Sequence, residues 1–243
     1  MIEQNFVIDS RHNRISGIMI IPGEGKQHPC AILSHGLLSS KESSKYMAVS
    51  RSFAEAGIAS CRFDYHGCGE SGGNIEETTL SIRLDNLNAV FDHVLSHPSI
   101  DPQKIGIIGS SFGGSTGLLK AARDERVKCL SLWATPHILD AREDDTIADI
   151  KFKQTIYTDF KSYDLCEEAK KVQYTLVIHG DSDEVVPCIE GRTIYKFLKK
   201  PKTIEIIKGG DHIFSVDAHR AKAINLTLNW FRRYLVSNGE EHK

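Results

Sequence analysis

Short apolar, β-rich runs alternate with helical periods along almost the whole chain, and this alternation restricts the fold more than any other property of the sequence. After a predicted hairpin over residues 5–21 come Cys30–Ser34, Ile58–Asp64, Lys104–Ile108, Val127–Trp133, Tyr174–Ile178 and Thr203–Ile207. Between them, apolar residues fall three and four apart: Tyr46, Val49 and Phe53; Leu84, Leu87, Phe91, Val94 and Leu95; Ile224, Leu228, Phe231 and Leu235. Near-continuous apolar strands separated by helices predict a mostly parallel central sheet covered on both faces, an α/β fold in one domain. In such sheets ligands bind at the loops leaving the carboxyl ends of the strands, so the chemistry is expected there.

The alternation breaks once. Residues 136–172 are too many for one crossover helix and carry Asp140, Arg142, Glu143, Asp144, Asp145 and Asp149 beside Phe152, Tyr157, Phe160 and Tyr163. This reads as a short cap inserted into the domain, its charges facing water and its aromatics facing a pocket; Tyr157, Phe160 and Tyr163 are the expected substrate contacts.

Composition narrows the class of partner. The chain has 243 residues, 40% hydrophobic and 26% charged, with a formal charge of -2. That length buries a core without staples, and that charge gives no field to attract nucleic acid or an anionic membrane. The expected partner is a small molecule. Met1-Ile2-Glu3-Gln4-Asn5 lacks the basic start and apolar core of a signal peptide, and no apolar run reaches the roughly 18 residues of a membrane span. Cys30, Cys61, Cys68, Cys129, Cys166 and Cys188 are scattered without a C-x-x-C pair, as reduced thiols are. A cytoplasmic location is expected.

Gly109-Ser110-Ser111-Phe112-Gly113 is a G-x-S-x-G element between a predicted strand and a predicted helix over Ser115–Arg123. A sharp strand-to-helix turn exposes the Ser111 hydroxyl, and the flanking glycines admit the close backbone approach it needs. The helix that follows directs its free N–H groups at developing negative charge. A serine hydroxyl is a poor nucleophile without a base, so an acid and a histidine are expected after later strands. The strand ending at Ile178 runs into His179-Gly180-Asp181-Ser182-Asp183-Glu184, which offers Asp181, Asp183 and Glu184. The strand ending at Ile207 runs into Gly209-Gly210-Asp211-His212, which offers His212 as base. An oxyanion hole needs two N–H donors: Phe112, next to the nucleophile, and Leu37, in the turn His35-Gly36-Leu37 after the first inner strand. His35 itself is read as shaping that turn.

Together with Phe63-Asp64-Tyr65-His66-Gly67-Cys68-Gly69-Glu70-Ser71 and Val186-Pro187, these motifs resemble the α/β-hydrolase superfamily, in which the chain order is serine, acid, histidine. More narrowly they are similar to small bacterial serine carboxylesterases of the cinnamoyl (feruloyl) esterase group. The resemblance implies Ser111 as nucleophile, His212 as base and Asp183, four residues before Pro187, as acid, leaving Asp181 and Glu184 as loop residues. It implies a short- to medium-chain or aryl carboxylesterase, hydroxycinnamoyl esters included, that needs no metal and no organic cofactor. A cap shorter than in cinnamoyl esterases implies a more open acyl site.

Other patterns compete. Gly67-Cys68-Gly69-Glu70-Ser71-Gly72 has the form G-x-G-x-x-G but does not open a helix directly, so it reads as a turn packed beside the site and not a dinucleotide fingerprint. His93 and His97 stand four apart with no carboxylate to complete a metal site. A peptidase, an acyl-aminoacyl hydrolase or a thioesterase would use the same residues, although related oligopeptidases carry a large extra domain for which this length leaves no room. A binding module on a hydrolase fold would have lost one of Ser111, Asp183 and His212. An exposed apolar cap face would favour a homodimer.

Overall fold

In a computed structural model, which describes residues 1–140, 146–147 and 149–236, ten strands and seven helices follow the predicted alternation. The eight-stranded sheet has the order β1 (Ile2–Asp9), β2 (Arg14–Ile21), β4 (Ala59–Phe63), β3 (His28–Ser34), β5 (Ile100–Ser110), β6 (Val127–Trp133), β9 (Thr175–Gly180) and β10 (Lys202–Ile207). The β1–β2 and β2–β4 pairs are antiparallel and every other pair is parallel, so β3, β5, β6, β9 and β10 all release their loops at one edge. This is the α/β-hydrolase arrangement expected from the motifs.

The period of two in the inner strands sorts their side chains into two cores. Cys30 and Ile32 of β3, Ile105 and Ile107 of β5 and Val177 of β9 pack on one face with α2 (Leu80–Ser96) and α3 (Phe112–Arg123). Ala31, Leu33, Ile108, Leu176 and Ile178 pack on the other with α1 (Ser44–Glu55) and α7 (Asp217–Phe231). Because both faces are covered, the inner strands are apolar without interruption. Among the described residues no helix is long and apolar enough to cross a membrane.

The excursion at 136–172 contains a two-stranded antiparallel ribbon, β7 (Thr146–Ile147) with β8 (Ile150–Lys151), and two short helices, α4 (Thr155–Lys161) and α5 (Leu165–Ala169). It lies against α2 and α3. Asp159 accepts hydrogen bonds from the Ser81 N–H (2.9 Å) and hydroxyl (2.5 Å), and the Lys153 N–H donates to the Glu76 carbonyl (3.0 Å). A helix as short as α4 is marginal alone and must bury its apolar face in the parent core; Ile156 and Phe160 are buried there. Arg142, Glu143, Asp144 and Asp145, expected to face water, lie outside the described residues. One helix has no counterpart in the predicted elements: α6 (Cys188–Phe197), which joins β9 to β10.

Candidate active site

The Gly109–Gly113 element forms the turn between β5 and α3. Ser111 has φ 54° and ψ -130°, a left-handed conformation unusual for a residue with a side chain, and such backbone strain clusters at functional sites. The glycines explain how the turn closes. A Cβ at Gly113 would stand 2.3 Å from the Ser34 and His35 carbonyl oxygens, and one at Gly109 would stand 2.6 Å from the Gly113 oxygen. The Ser111 N–H is held by the Trp133 carbonyl (2.8 Å), which ties the turn to the next strand.

His212, on the loop after β10, places Nε2 3.1 Å from the Ser111 hydroxyl and Nδ1 2.9 Å from Asp183 Oδ2. Of the three acids after β9, only Asp183 meets the histidine. Glu184 is exposed, and Asp181 accepts from the Gly209 N–H (2.6 Å), lacing the β9 and β10 loops together. A second lace is the Ser182 N–H on the Gly210 carbonyl (3.0 Å). Burial would raise the Asp183 carboxyl, but hydrogen bonds from His179, His212 and the Val186 N–H outweigh it and hold the group well below the usual carboxylate range. Asp183 is therefore ionised and can only accept, so the N–H at His212 Nδ1 donates to it and Nε2 is left facing the Ser111 hydroxyl.

His179 is a neighbour that the sequence reading passed over. It is fully buried as the penultimate residue of strand β9, with Nε2 2.9 Å from the Val186 carbonyl and 3.3 Å from Asp183 Oδ2. Its only signal is its place directly after a strand predicted to end at Ile178.

The His35-Gly36-Leu37 turn lies against the serine: a Cβ at Gly36 would be 3.4 Å from Ser111 Cβ and 3.9 Å from its hydroxyl. His35 shapes the turn, as expected. Its Nε2 accepts from the Tyr65 N–H (3.0 Å), so Nδ1 carries the proton it donates to the Gly36 carbonyl (2.7 Å). Burial, with Arg83 nearby, pushes His35 well below its ordinary value and keeps it neutral. Phe112 opens α3, so its N–H belongs to the first turn, which has no partner within the helix.

The cap aromatics are placed differently from expectation. Phe160 packs edge-on against Phe112 at 5.4 Å, Tyr157 is buried in the same core, and the Tyr163 hydroxyl meets Ser81 (2.6 Å) while Arg123 covers its ring. All three are engaged in docking the cap onto α2 and α3. The Gly67–Gly72 segment is a turn: a Cβ at Gly69 would overlap Asp64, which accepts from the Lys41 N–H and ammonium, both at 2.7 Å. His93 stacks on Phe6 and His97 meets Gln4; among the described residues no group of three ligating side chains is positioned to hold a metal.

Comparison with known proteins agrees with this architecture. The fold matches Est1E from Butyrivibrio proteoclasticus, solved with ferulic acid bound, at a TM-score of 0.84 with 23% identity, over 96% of this chain and 100% of that one. It matches the α/β hydrolase GrgF from Penicillium sp. sh18 at 0.84 with 16% identity, over 98% and 100%. At those identities the likeness is one of fold. In sequence, an uncharacterized 31.7 kDa protein encoded in the traX-finO intergenic region of Escherichia coli is 33% identical over 122 residues, 49% of this chain and 42% of that protein. The chain thus spans less than half the length of that curated relative. The sequence pattern of the prolyl oligopeptidase family matches residues 44–238, which begin at α1 and take in Ser111, Asp183 and His212. That match extends over most of the sheet as well as the three residues meeting at its edge, and by it the chain belongs to the prolyl oligopeptidase family.

Proposed function

We propose that the chain is a serine hydrolase of carboxylic esters, acting on short- to medium-chain or aryl acyl groups through an acyl-enzyme on Ser111. The observation that carries this reading is the relay from the Ser111 hydroxyl to His212 Nε2 (3.1 Å) and from His212 Nδ1 to Asp183 (2.9 Å), on a serine held at φ 54°. His212 takes the hydroxyl proton as Ser111 attacks the ester carbonyl, and Asp183 stabilises the imidazolium that forms. The Leu37 and Phe112 N–H groups receive the oxyanion, and His212 returns its proton to the departing alcohol. Water then repeats the cycle on the acyl-enzyme.

The test is labelling with a fluorophosphonate and turnover of a p-nitrophenyl acyl ester. Ser111→Ala is expected to abolish labelling and to lower turnover by at least about a thousandfold. Labelling that persists in Ser111→Ala, or a wild-type chain that neither labels nor turns over, would refute the assignment. Because Est1E is known with ferulic acid, a hydroxycinnamoyl ester belongs in the panel.

A second reading, peptidase or acyl-aminoacyl hydrolase, is favoured by the family match itself. It uses the same residues and differs only in the leaving group. Acyl p-nitroanilides compared with the matching esters by kcat/KM separate the two readings, and a thioester in the same series tests thioesterase activity.

A further inference from the structure

Arg83 stands in the first turn of α2 with no solvent exposure. Its partners are unusual for a buried guanidinium. Nη1 donates to the His35 carbonyl (3.0 Å), and Nη2 to the Gly36 (3.2 Å) and Leu37 (3.1 Å) carbonyls, with the Cys68 sulfur at 3.7 Å. The guanidinium carbon lies 4.3 Å from the centre of the Tyr65 ring and 5.2 Å from that of Phe112. Among the described residues Nε has no hydrogen-bond partner. Three carbonyls, a sulfur and two ring faces surround the cation, and none of these is a carboxylate. Burying a cation without a counter-charge is expensive, and a helix surface facing a core is filled more cheaply by Leu.

What the cation does follows from the planarity of the peptide bond. In a trans peptide the C=O of one residue and the N–H of the next point in opposite directions. A donor that fixes the Gly36 carbonyl therefore fixes the Leu37 N–H on the opposite side. That carbonyl accepts from two donors, Arg83 Nη2 and His35 Nδ1 (2.7 Å), while its neighbours at His35 and Leu37 each accept from the same guanidinium. The turn also lies against Ser111: a Cβ at Gly36 would be 3.4 Å from Ser111 Cβ. The same guanidinium lies over the ring of Phe112, the residue that supplies the second N–H. One side chain thus spans both halves of the oxyanion hole. A cation on the carbonyl end also polarises each peptide unit, strengthening its N–H as a donor.

We infer that Arg83 is the positioning residue of the oxyanion turn, holding the Leu37 N–H toward Ser111 by binding the carbonyls of residues 35–37 from behind. The inference rests on the serine-hydrolase reading above. Arg83 touches no substrate; it acts through the turn. Its loss is expected to be felt mainly in the transition state, where the oxyanion exists, and little in ground-state binding.

The experiment compares wild type, Arg83→Lys, Arg83→Met and Leu87→Ala with a p-nitrophenyl acyl ester and with an aryl boronic acid, which forms a tetrahedral anionic adduct on serine. Lysine keeps the charge but can reach only part of the three-carbonyl set. Leu87, also fully buried on α2, is a control for destabilisation that leaves the turn alone. The expected result, below the melting temperature of each variant, is a kcat about 100-fold lower in Arg83→Met with KM within about 3-fold, and a smaller loss in Arg83→Lys. Boronic acid affinity should fall in parallel with kcat, and Leu87→Ala should keep wild-type kcat despite a lower Tm. If the methionine variant does not fold, Arg83→Lys alone decides by the same split of kcat from KM. Wild-type kcat and boronate affinity in folded Arg83 variants, or equal loss in Leu87→Ala, would overturn the positioning role while leaving the serine-hydrolase reading intact. A wild-type chain without turnover or labelling would overturn both.

Discussion

At the scale of single residues, the side chains expected to do chemistry were legible and the charges that support them were not. Ser111, Asp183 and His212 each follow an apolar run that reads as a strand, so their place at one edge of the sheet follows from the pattern. Arg83 lies inside a helical period between Ile82 and Leu84, where a charged residue reads as the solvent face, and Lys45 is hidden in the same way on α1. The Lys45 ammonium donates to the Ser110 hydroxyl (2.9 Å) and lies over the Tyr46 and Trp133 rings at 5.0 and 5.9 Å. Burial, helped by Arg220 and opposed by Asp211, lowers it to about 8, against roughly 10.4 for a solvated lysine. Between those values the unfolded chain binds more protons than the folded one, so stability rises with pH across that window. Below about pH 8 both states are protonated and the folded state carries the full penalty. Lys45→Met, similar in length and uncharged, is expected to stabilise the fold at pH 7 by on the order of 1–3 kcal/mol, with the gain shrinking toward about pH 10. Urea unfolding at the two pH values measures this. A destabilisation of equal size at both would mean that the bond to Ser110 outweighs the burial of the charge.

At the scale of elements, strands were read well because both faces of the inner sheet are buried, whereas α6 escaped notice because Gly191 interrupts its period. The structure gives that glycine a reason. A Cβ there would stand 2.4 Å from Nδ1 of His179, a fully buried ring held at Nε2 by the Val186 carbonyl. Helix propensity alone makes Gly→Ala in a helix interior favourable by about 1 kcal/mol. Here the sign should reverse, since the helix must retreat from β9 or the ring must move, an overpacking cost of roughly 1–3 kcal/mol. Gly191→Ala is therefore expected to lower the urea midpoint, and also to lower kcat, because His179 supports Asp183. A stabilised variant with unchanged kcat would show that α6 is free to shift. The cap illustrates the opposite difficulty. Its aromatics were legible as apolar, but periodicity carries no information on the surface against which α4 docks. Phe160 is on Phe112 and Tyr163 is on Ser81, so both rings are taken up in docking the cap.

At the scale of the whole molecule, six parallel strands bring their carboxyl ends to one edge, and the segments that follow them expose aliphatic side chains. Leu38 follows β3, Ile138 follows β6, Val185 and Ile189 follow β9, and Ile213 follows β10; all five are exposed. A large depression, about 740 Å³, lies at the other end of the sheet, between residues 121–130 and 171–174. The fold class was legible in the alternation, but this rim was not, because two adjacent apolar residues give no sign of which one is exposed: Val185 and Ile213 are exposed while Val186 and Phe214 are buried. Under the proposed esterase activity, an acyl chain carried on the Ser111 hydroxyl oxygen is expected to run along these exposed side chains. An open apolar surface recovers only part of the roughly 0.8 kcal/mol available per buried CH₂. Across a series of p-nitrophenyl esters from acetyl to octanoyl, kcat/KM is therefore expected to rise by about 10- to 100-fold in total, far less than full burial of six methylenes would give. Val185→Asp and Ile213→Asp should flatten the rise while leaving the acetyl ester within about 3-fold of wild type, because the rim meets only the longer chains. A series that falls with chain length, or one that rises equally in the rim variants, would place the acyl group somewhere other than on these loops.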